Sequence, residues 1–137
     1  KSEERLQQIR SLFDLDGITV FSDRGNRLVC RNGNYIAEAP DGRPGFEDEG
    51  YLSLFGDDDI FVESNMIKLR SQNPAAYAVT QEQEVGAALQ CLSRKEGIPY
   101  TMVSFEVFNR NRKWSDKDVT LLTLLGHCIG DLLNYSE

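Results

Sequence analysis

Nine residues, YTMVSFEVF at 100–108, constrain this chain more than any others. Thr101, Val103, Phe105 and Val107 alternate with Tyr100, Met102, Ser104, Glu106 and Phe108. A period of two belongs to an extended strand, whose successive side chains point to opposite faces. One set is apolar or β-branched and suits a core. The other mixes apolar residues with Ser104 and Glu106 and suits a face that meets a cavity. Upstream, VGAALQCL (85–92) reads as a partner strand, joined through a hairpin loop SRKEGIP (93–99). Downstream, Ser115 with Asp118 three residues on is close to a capping box and opens a long helix.

That helix contains the chain's one Trp just ahead of it and its one His within it. At about 100° per residue, Val119, Leu122, Gly126, Ile129 and Leu133 form one stripe. Leu121, Leu124, Leu125, Cys128, Leu132 and Tyr135 form a second beside it. The two span roughly 220° of the wheel, whereas covering a sheet needs an arc of roughly 100° or somewhat more. The surplus stripe predicts a partner, most simply the same helix of a second copy, with Leu121, Leu125, Cys128, Leu132 and Tyr135 at the interface. Gly126 and Gly130, four apart, would permit close approach of a partner helix. His127 falls on the polar arc and faces away from Cys128, so the two do not form a nucleophile–base pair, which needs hydrogen-bond contact. It reads as a surface histidine.

The rest of the chain reads in order. SEERLQQIRSLFDLDG (2–17) spaces Leu6, Ile9, Leu12 and Phe13 for a helix, with Ser2 as its cap and Gly17 as breaker. ITVFS (18–22) is a strand and DRGN (23–26) a turn. RLVCR (27–31), Asn32-Gly33 and NYIAEA (34–39) form a hairpin on a type I′ turn. PDGRPG (40–45) is a loop. FEDEGYLSLFGDDD (46–59) fits a short helix or an irregular lid, IFVES (60–64) a strand, and Pro74 opens a short helix within 65–79. Strands grouped around a helical middle predict an α+β domain, an antiparallel sheet with the terminal helices together on one face.

Composition narrows function. A net charge of −7 over 137 residues repels phosphate backbones and anionic lipid, which argues against nucleic acid and membrane as partners. No apolar run approaches the roughly 20 residues that span a bilayer. Three cysteines without CxxC or Cys/His spacing read as free thiols of a reducing cytoplasm. The acidic runs EDE (47–49) and DDD (57–59) lack the alternating oxygen spacing of a Ca²⁺ loop and read as solvated loops, so no metal or other cofactor is expected. The start on a helix-like run without Met suggests a piece, 1–137, of a longer chain.

AALQCLSRKEGIPYTMVSFEVFNRNRKWSDKDVTLLTLLGHCIGDLL resembles the end of a GAF domain. That family's pattern is an apolar strand, a polar turn often containing Gly, a second apolar strand and a polar loop. An aromatic-Ser/Thr-x-x-Asp/Glu helix start and a Leu-rich helix complete it. Residues 89–92, Gly97, 102–108, Trp114-Ser115, Asp118 and the 119–133 stripe fill those slots. LFDLDGITVFSDRGNRLV is similar to the family's opening helix and hairpin. The related PAS domains share the shape, but helices at both ends favour GAF. The Trp-Ser start is like GAF modules that precede GGDEF diguanylate cyclase domains.

The resemblance implies a sensory or regulatory module of a bacterial signalling protein. It would bind an unknown small ligand and homodimerise through its terminal helices to control an attached output domain, a diguanylate cyclase or kinase. The lidded pocket would involve Tyr51, Phe55, Phe61, Asn65 and Tyr77, with Ser104 and Glu106 orienting the ligand. A ligand-free dimerisation scaffold is the alternative. One branch of the family reduces free methionine sulfoxide with thiols. Here Cys30 and Cys91 lie in strands and Cys128 on an apolar stripe, so all three read as buried and inert, and no residue is assigned to catalysis. Tyr100-Thr101 occupy a position where the family often has Gly. The Asn-Lys…Phe…Asp-Glu signature of cyclic-nucleotide binders is missing. The Cys-His pair of bilin binders appears only in reverse order, as His127-Cys128.

Overall fold

The computed structural model describes residues 2–22, 27–31, 34–38 and 48–136. The expected turns at 23–26 and Asn32-Gly33, the loop at 40–45, Phe46 and Glu47 lie outside them, as do the side chains of Ser2, Leu133 and Tyr135. The elements run α1 (Ser2–Leu12), β1 (Gly17–Ser22), β2 (Arg27–Arg31), β3 (Asn34–Glu38), α2 (Glu49–Leu52) and β4 (Ile60–Glu63). A 3-10 turn (Met66–Lys68) leads into α3 (Leu69–Gln72) and α4 (Pro74–Glu82), then β5 (Val85–Lys95), β6 (Ile98–Phe108) and α5 (Asp116–Ser136). The strands form one antiparallel sheet in the order β3-β2-β1-β6-β5-β4. Two meanders therefore meet where β1 pairs with β6.

β6 is central, and Thr101 through Val107 are all buried. Its alternation thus separates two cores rather than a core and a solvent face. On one face Val103, Phe105 and Val107 join Ile18, Val20, Leu89, Leu6 of α1 and Leu122 of α5. On the other face Met102 joins Phe55, Phe61, Met66, Leu69 and Leu92 beneath the short helices of the middle segment. The terminal helices share a face as expected, and the second face has helical cover of its own.

Three local readings change. The loop expected at 93–99 is a two-residue turn, with Lys95 paired to Ile98 and positive φ at both Glu96 (53°) and Gly97 (81°). Such angles match the twist of a tight hairpin, so both strands run on. Leu12 is 80% exposed, since α1 buries only the narrow stripe of Leu6, Ile9 and Phe13. Leu125, assigned to the surplus stripe, packs against the core and bridges the two stripes.

α5 begins as its sequence directs. The Asp118 amide donates to Ser115 Oγ (3.0 Å), and the Ser115 amide donates back to Asp118 Oδ2 (3.1 Å). The close approach allowed by its glycines is made to the sheet. A Cβ on Gly126 would sit 2.8 Å from Cys91 Sγ, and one on Gly130 would sit 2.5 Å from Thr101 Oγ1. Pro74 opens α4 behind an Asn73 cap whose side chain accepts from the Ala76 amide at 3.1 Å.

Candidate functional site

Register assembles the site. Thr19 on β1, Ser104 on β6 and Gln90 on β5 stand directly opposite one another, so their side chains share the face turned away from α1 and α5. Glu106 lies two residues along β6 on the same face. All four are buried, Ser104 completely. Their protons run in one direction. The Tyr51 hydroxyl donates to Gln90 Oε1, and Gln90 Nε2 donates to Ser104 Oγ at 3.1 Å. Ser104 Oγ donates to Glu106 Oε2 at 3.0 Å, and Thr19 Oγ1 donates to Glu106 Oε1 at 3.1 Å. The hydroxyl protons of the row are spent inward on the carboxylate or the amide. The row still holds the second Nε2 proton of Gln90 and lone pairs on the Ser104 and Thr19 hydroxyl oxygens, so it suits a small polar ligand that both accepts and donates hydrogen bonds.

Aromatic residues cover the row. Tyr51 meets Phe55 edge-on at 5.4 Å between ring centroids, and Phe55 meets Phe61 at 6.0 Å. Tyr77 packs on the same cluster. Of the residues expected at a pocket, Tyr51, Phe55, Phe61, Tyr77, Ser104 and Glu106 come to this one face. Asn65 is committed elsewhere, its side chain accepting from the Ile67 amide at 3.2 Å to cap the 3-10 turn. Thr19 and Gln90 were missed. Gln90 carried a signal, as the lone amide in an apolar strand run, because a buried amide must find partners. Thr19 carried none until its strand partner was known.

A groove of about 520 Å³ runs along β4 past Leu54, Phe61, Glu63, Gln72 and Val119. It wraps the outer edge of the sheet and none of the row residues lines it. Among the described residues, no group of His, Cys, Asp or Glu could hold a metal ion, and no helix is long and apolar enough to cross a membrane. In the DDD run, Asp59 pairs with Arg94 Nε at 3.0 Å and Asp58 Oδ1 accepts from the Ile60 amide at 3.3 Å.

The thiols are scattered over three elements. Cys30 on β2 and Cys91 on β5 are three strand spacings apart, roughly 14 Å at about 4.8 Å each. A disulfide needs Cα atoms within about 7 Å. Burial pushes the Cys91 thiol up from 9.0 to about 12. Cys128, expected to be buried, is exposed, because the second stripe of α5 faces away from the sheet. At pH 8 an alkylating reagent should therefore modify Cys128 alone in the folded protein. An ordinary thiol ionises near 9 in the unfolded chain, so Cys91 costs no stability below pH 9. Between pH 9 and about 12 only the unfolded state releases that proton, and stability should fall. Urea midpoints across that range, falling less steeply in Cys91→Ala than in the parent, would check this.

No family model and no curated protein matches the sequence. Solved structures do match. The red light-absorbing state of NpR6012g4, a red/green cyanobacteriochrome, aligns with TM-score 0.67 at 15% identity, over 98% of this chain and 92% of that chain. The GAF domain region of a Geobacter sulfurreducens PCA protein aligns with TM-score 0.64 at 15% identity, over 98% and 91%. The blue-light absorbing form of the Thermosynechococcus elongatus PixJ GAF domain aligns with TM-score 0.65 at 13% identity, over 98% and 88%. The chain has the GAF fold. Within it, α1 and α5 back one face of the sheet, and the Tyr51–Gln90–Ser104–Glu106–Thr19 row lies on the other.

Proposed function

We propose that this GAF-fold chain is a sensory and regulatory module of a bacterial cytoplasmic signalling protein. It takes a small polar ligand against the polar row, pairs with a second copy through α5, and passes occupancy to an attached output domain. The observation that carries the ligand is the row itself. A carboxylate, an amide and two hydroxyls are buried on a sheet face where apolar residues would fill the space with less desolvation. The GAF-fold neighbours named as light-absorbing receptors support a sensory role for this architecture. A non-catalytic role fits thiols that lie on separate elements and, at Cys91, one that burial holds protonated.

The surplus stripe supports dimerisation. Leu121, Leu124 and Leu132 are exposed large hydrophobics, and Cys128 is exposed between them. The spacing 121-125-128-132-135 alternates four and three, the repeat of a coiled-coil seam. A scaffold that only dimerises would rest on this stripe alone.

A thermal-shift screen of small heterocycles, amino acids and nucleotides, with native mass spectrometry of the same sample, tests both parts. A ligand that raises Tm in the parent and not in Gln90→Leu supports the sensor. A stable dimer with no such ligand supports the scaffold instead. Leu121→Glu with Leu124→Glu should yield a folded monomer, and mild oxidation of the parent should link two chains through Cys128. A folded dimer in the double variant would overturn the α5 seam.

A further inference from the structure

The loop between β6 and α5 binds three parts of the chain at once. Arg112 Nη1 donates to the carbonyls of Phe13 (2.6 Å) and Asp14 (3.0 Å), where α1 ends. Its Nη2 donates to Asp118 Oδ2 at 3.3 Å, the same oxygen that caps α5 through the Ser115 amide. Its backbone amide donates to the Ser64 carbonyl at 3.0 Å, and Trp114 Nε1 donates to the Glu63 carbonyl at 3.1 Å. The guanidinium lies over the Trp114 ring at 4.5 Å, which joins the two sets of bonds. Trp114 is buried, and the Arg112–Asp118 pair is largely shielded, with side chains 15% and 19% exposed.

The middle member of this arrangement belongs to the covered polar face. Glu63 ends β4 and Ser64 leads into the 3-10 turn, whose Met66 is buried in the aromatic cluster over the row. The Glu63 carboxylate accepts from the Asn65 amide at 3.1 Å, and Lys68 Nζ lies 3.8 Å away. So the layer over the row, the last turn of α1 and the first turn of α5 meet at two side chains.

We propose that Arg112 and Trp114 form a coupling node through which the layer over the polar row sets the position of both terminal helices. Coupling between separated parts is carried by contiguous packed and hydrogen-bonded contacts, and at Arg112 and Trp114 such contacts join all three. Arg112 and Trp114 are positioning residues and touch no ligand. The proposal takes from the sensor reading only that the terminal helices carry the output. Its test uses no ligand, so a failed ligand screen leaves the outcome unaffected.

The test is amide hydrogen exchange on the whole chain in three variants. Ser115→Ala removes one side of the α5 cap and should speed exchange in the first turn of α5 alone. Arg112→Gln removes the shared cation. It should speed exchange together in the last turn of α1, in 63–68 and in the first turn of α5, each by about tenfold, the scale of a lost charge-assisted bond. Trp114→Phe keeps an aromatic six-membered ring and loses the fused pyrrole with its Nε1 donor. It should speed exchange at 63–68 and at the start of α5 by more than it speeds exchange at β1 and β6, which a uniform loss of stability would not do. The deciding measurement combines Trp114→Phe with Met66→Ala, a cavity in the covering layer. In the parent background Met66→Ala should speed exchange at the start of α5, and in the Trp114→Phe background that added effect should vanish. Equal effects of Met66→Ala in both backgrounds, or an Arg112→Gln response confined to α5, would overturn the node.

Discussion

Gly86→Ala should lower stability by about 3 kcal/mol, within the usual cost of forcing atoms into a packed site or somewhat above it. Gly86 is the unpaired residue of the bulge between Val85 and Ala87 on β5. An added Cβ would lie 2.1 Å from the Arg110 carbonyl oxygen and 2.8 Å from its amide nitrogen. Those are backbone atoms, so relief requires moving the chain that carries Arg110 and Arg112. Arg110 Nη2 donates to the Asp14 carbonyl at 3.1 Å, so the end of α1 moves with it. Urea unfolding would measure the loss, and exchange at 12–16 should rise more than exchange at the β2–β3 hairpin. Gly97→Ala is the informative contrast. It has open space around it and only a φ of 81° to accommodate, so its cost should be about 1 kcal/mol. Equal costs at the two positions would mean that the bulge yields and the close approach is soft.

Glu106→Ala should be the second large effect, a loss of about 2–4 kcal/mol. The variant strands the hydroxyl protons of Ser104 and Thr19, each now buried without the carboxylate that accepted it. Glu106→Gln keeps one carbonyl acceptor of the same shape, and the hydroxyls can reorient, so its unfolding free energy from urea titration should stay within about 1 kcal/mol of the parent. The pair separates structure from recognition. If the row receives a ligand through its acceptors, Glu106→Gln should retain the fold while losing the ligand-induced rise in Tm. A Glu106→Ala protein as stable as the parent would show that the row is open to water.

Much of the fold was legible in the chain itself. The strand at 100–108, the capping box at Ser115 and Asp118, Pro74 at the head of a helix and the two stripes of α5 are all local. Each depends on periodicity or on hydrogen bonds within four residues. The grouping of Tyr51, Phe55, Phe61 and Tyr77 came from the family resemblance, which implies a lid over 46–79, and the packing of all four in one cluster is a finding of the structure. Asn65 was misleading, since an Asn before a short turn serves equally as a cap or as an anchor, and only its bond to Ile67 distinguishes them.

By itself, then, the sequence determined the main strands and the terminal helices, left 46–59 open between a short helix and a lid, and showed that α5 carries more apolar surface than one sheet can cover. The tertiary structure decided what those elements do for one another. Thr19, Gln90 and Ser104 become neighbours only because β1 and β5 both pair with β6, and a slip of one residue in either pairing would turn a side chain of the row to the opposite core. The same assembly placed Gly126 and Gly130 against the sheet and Cys128 outside it. Periodicity fixes which side chains share a face of an element, but which face meets which partner is settled only when the whole sheet closes.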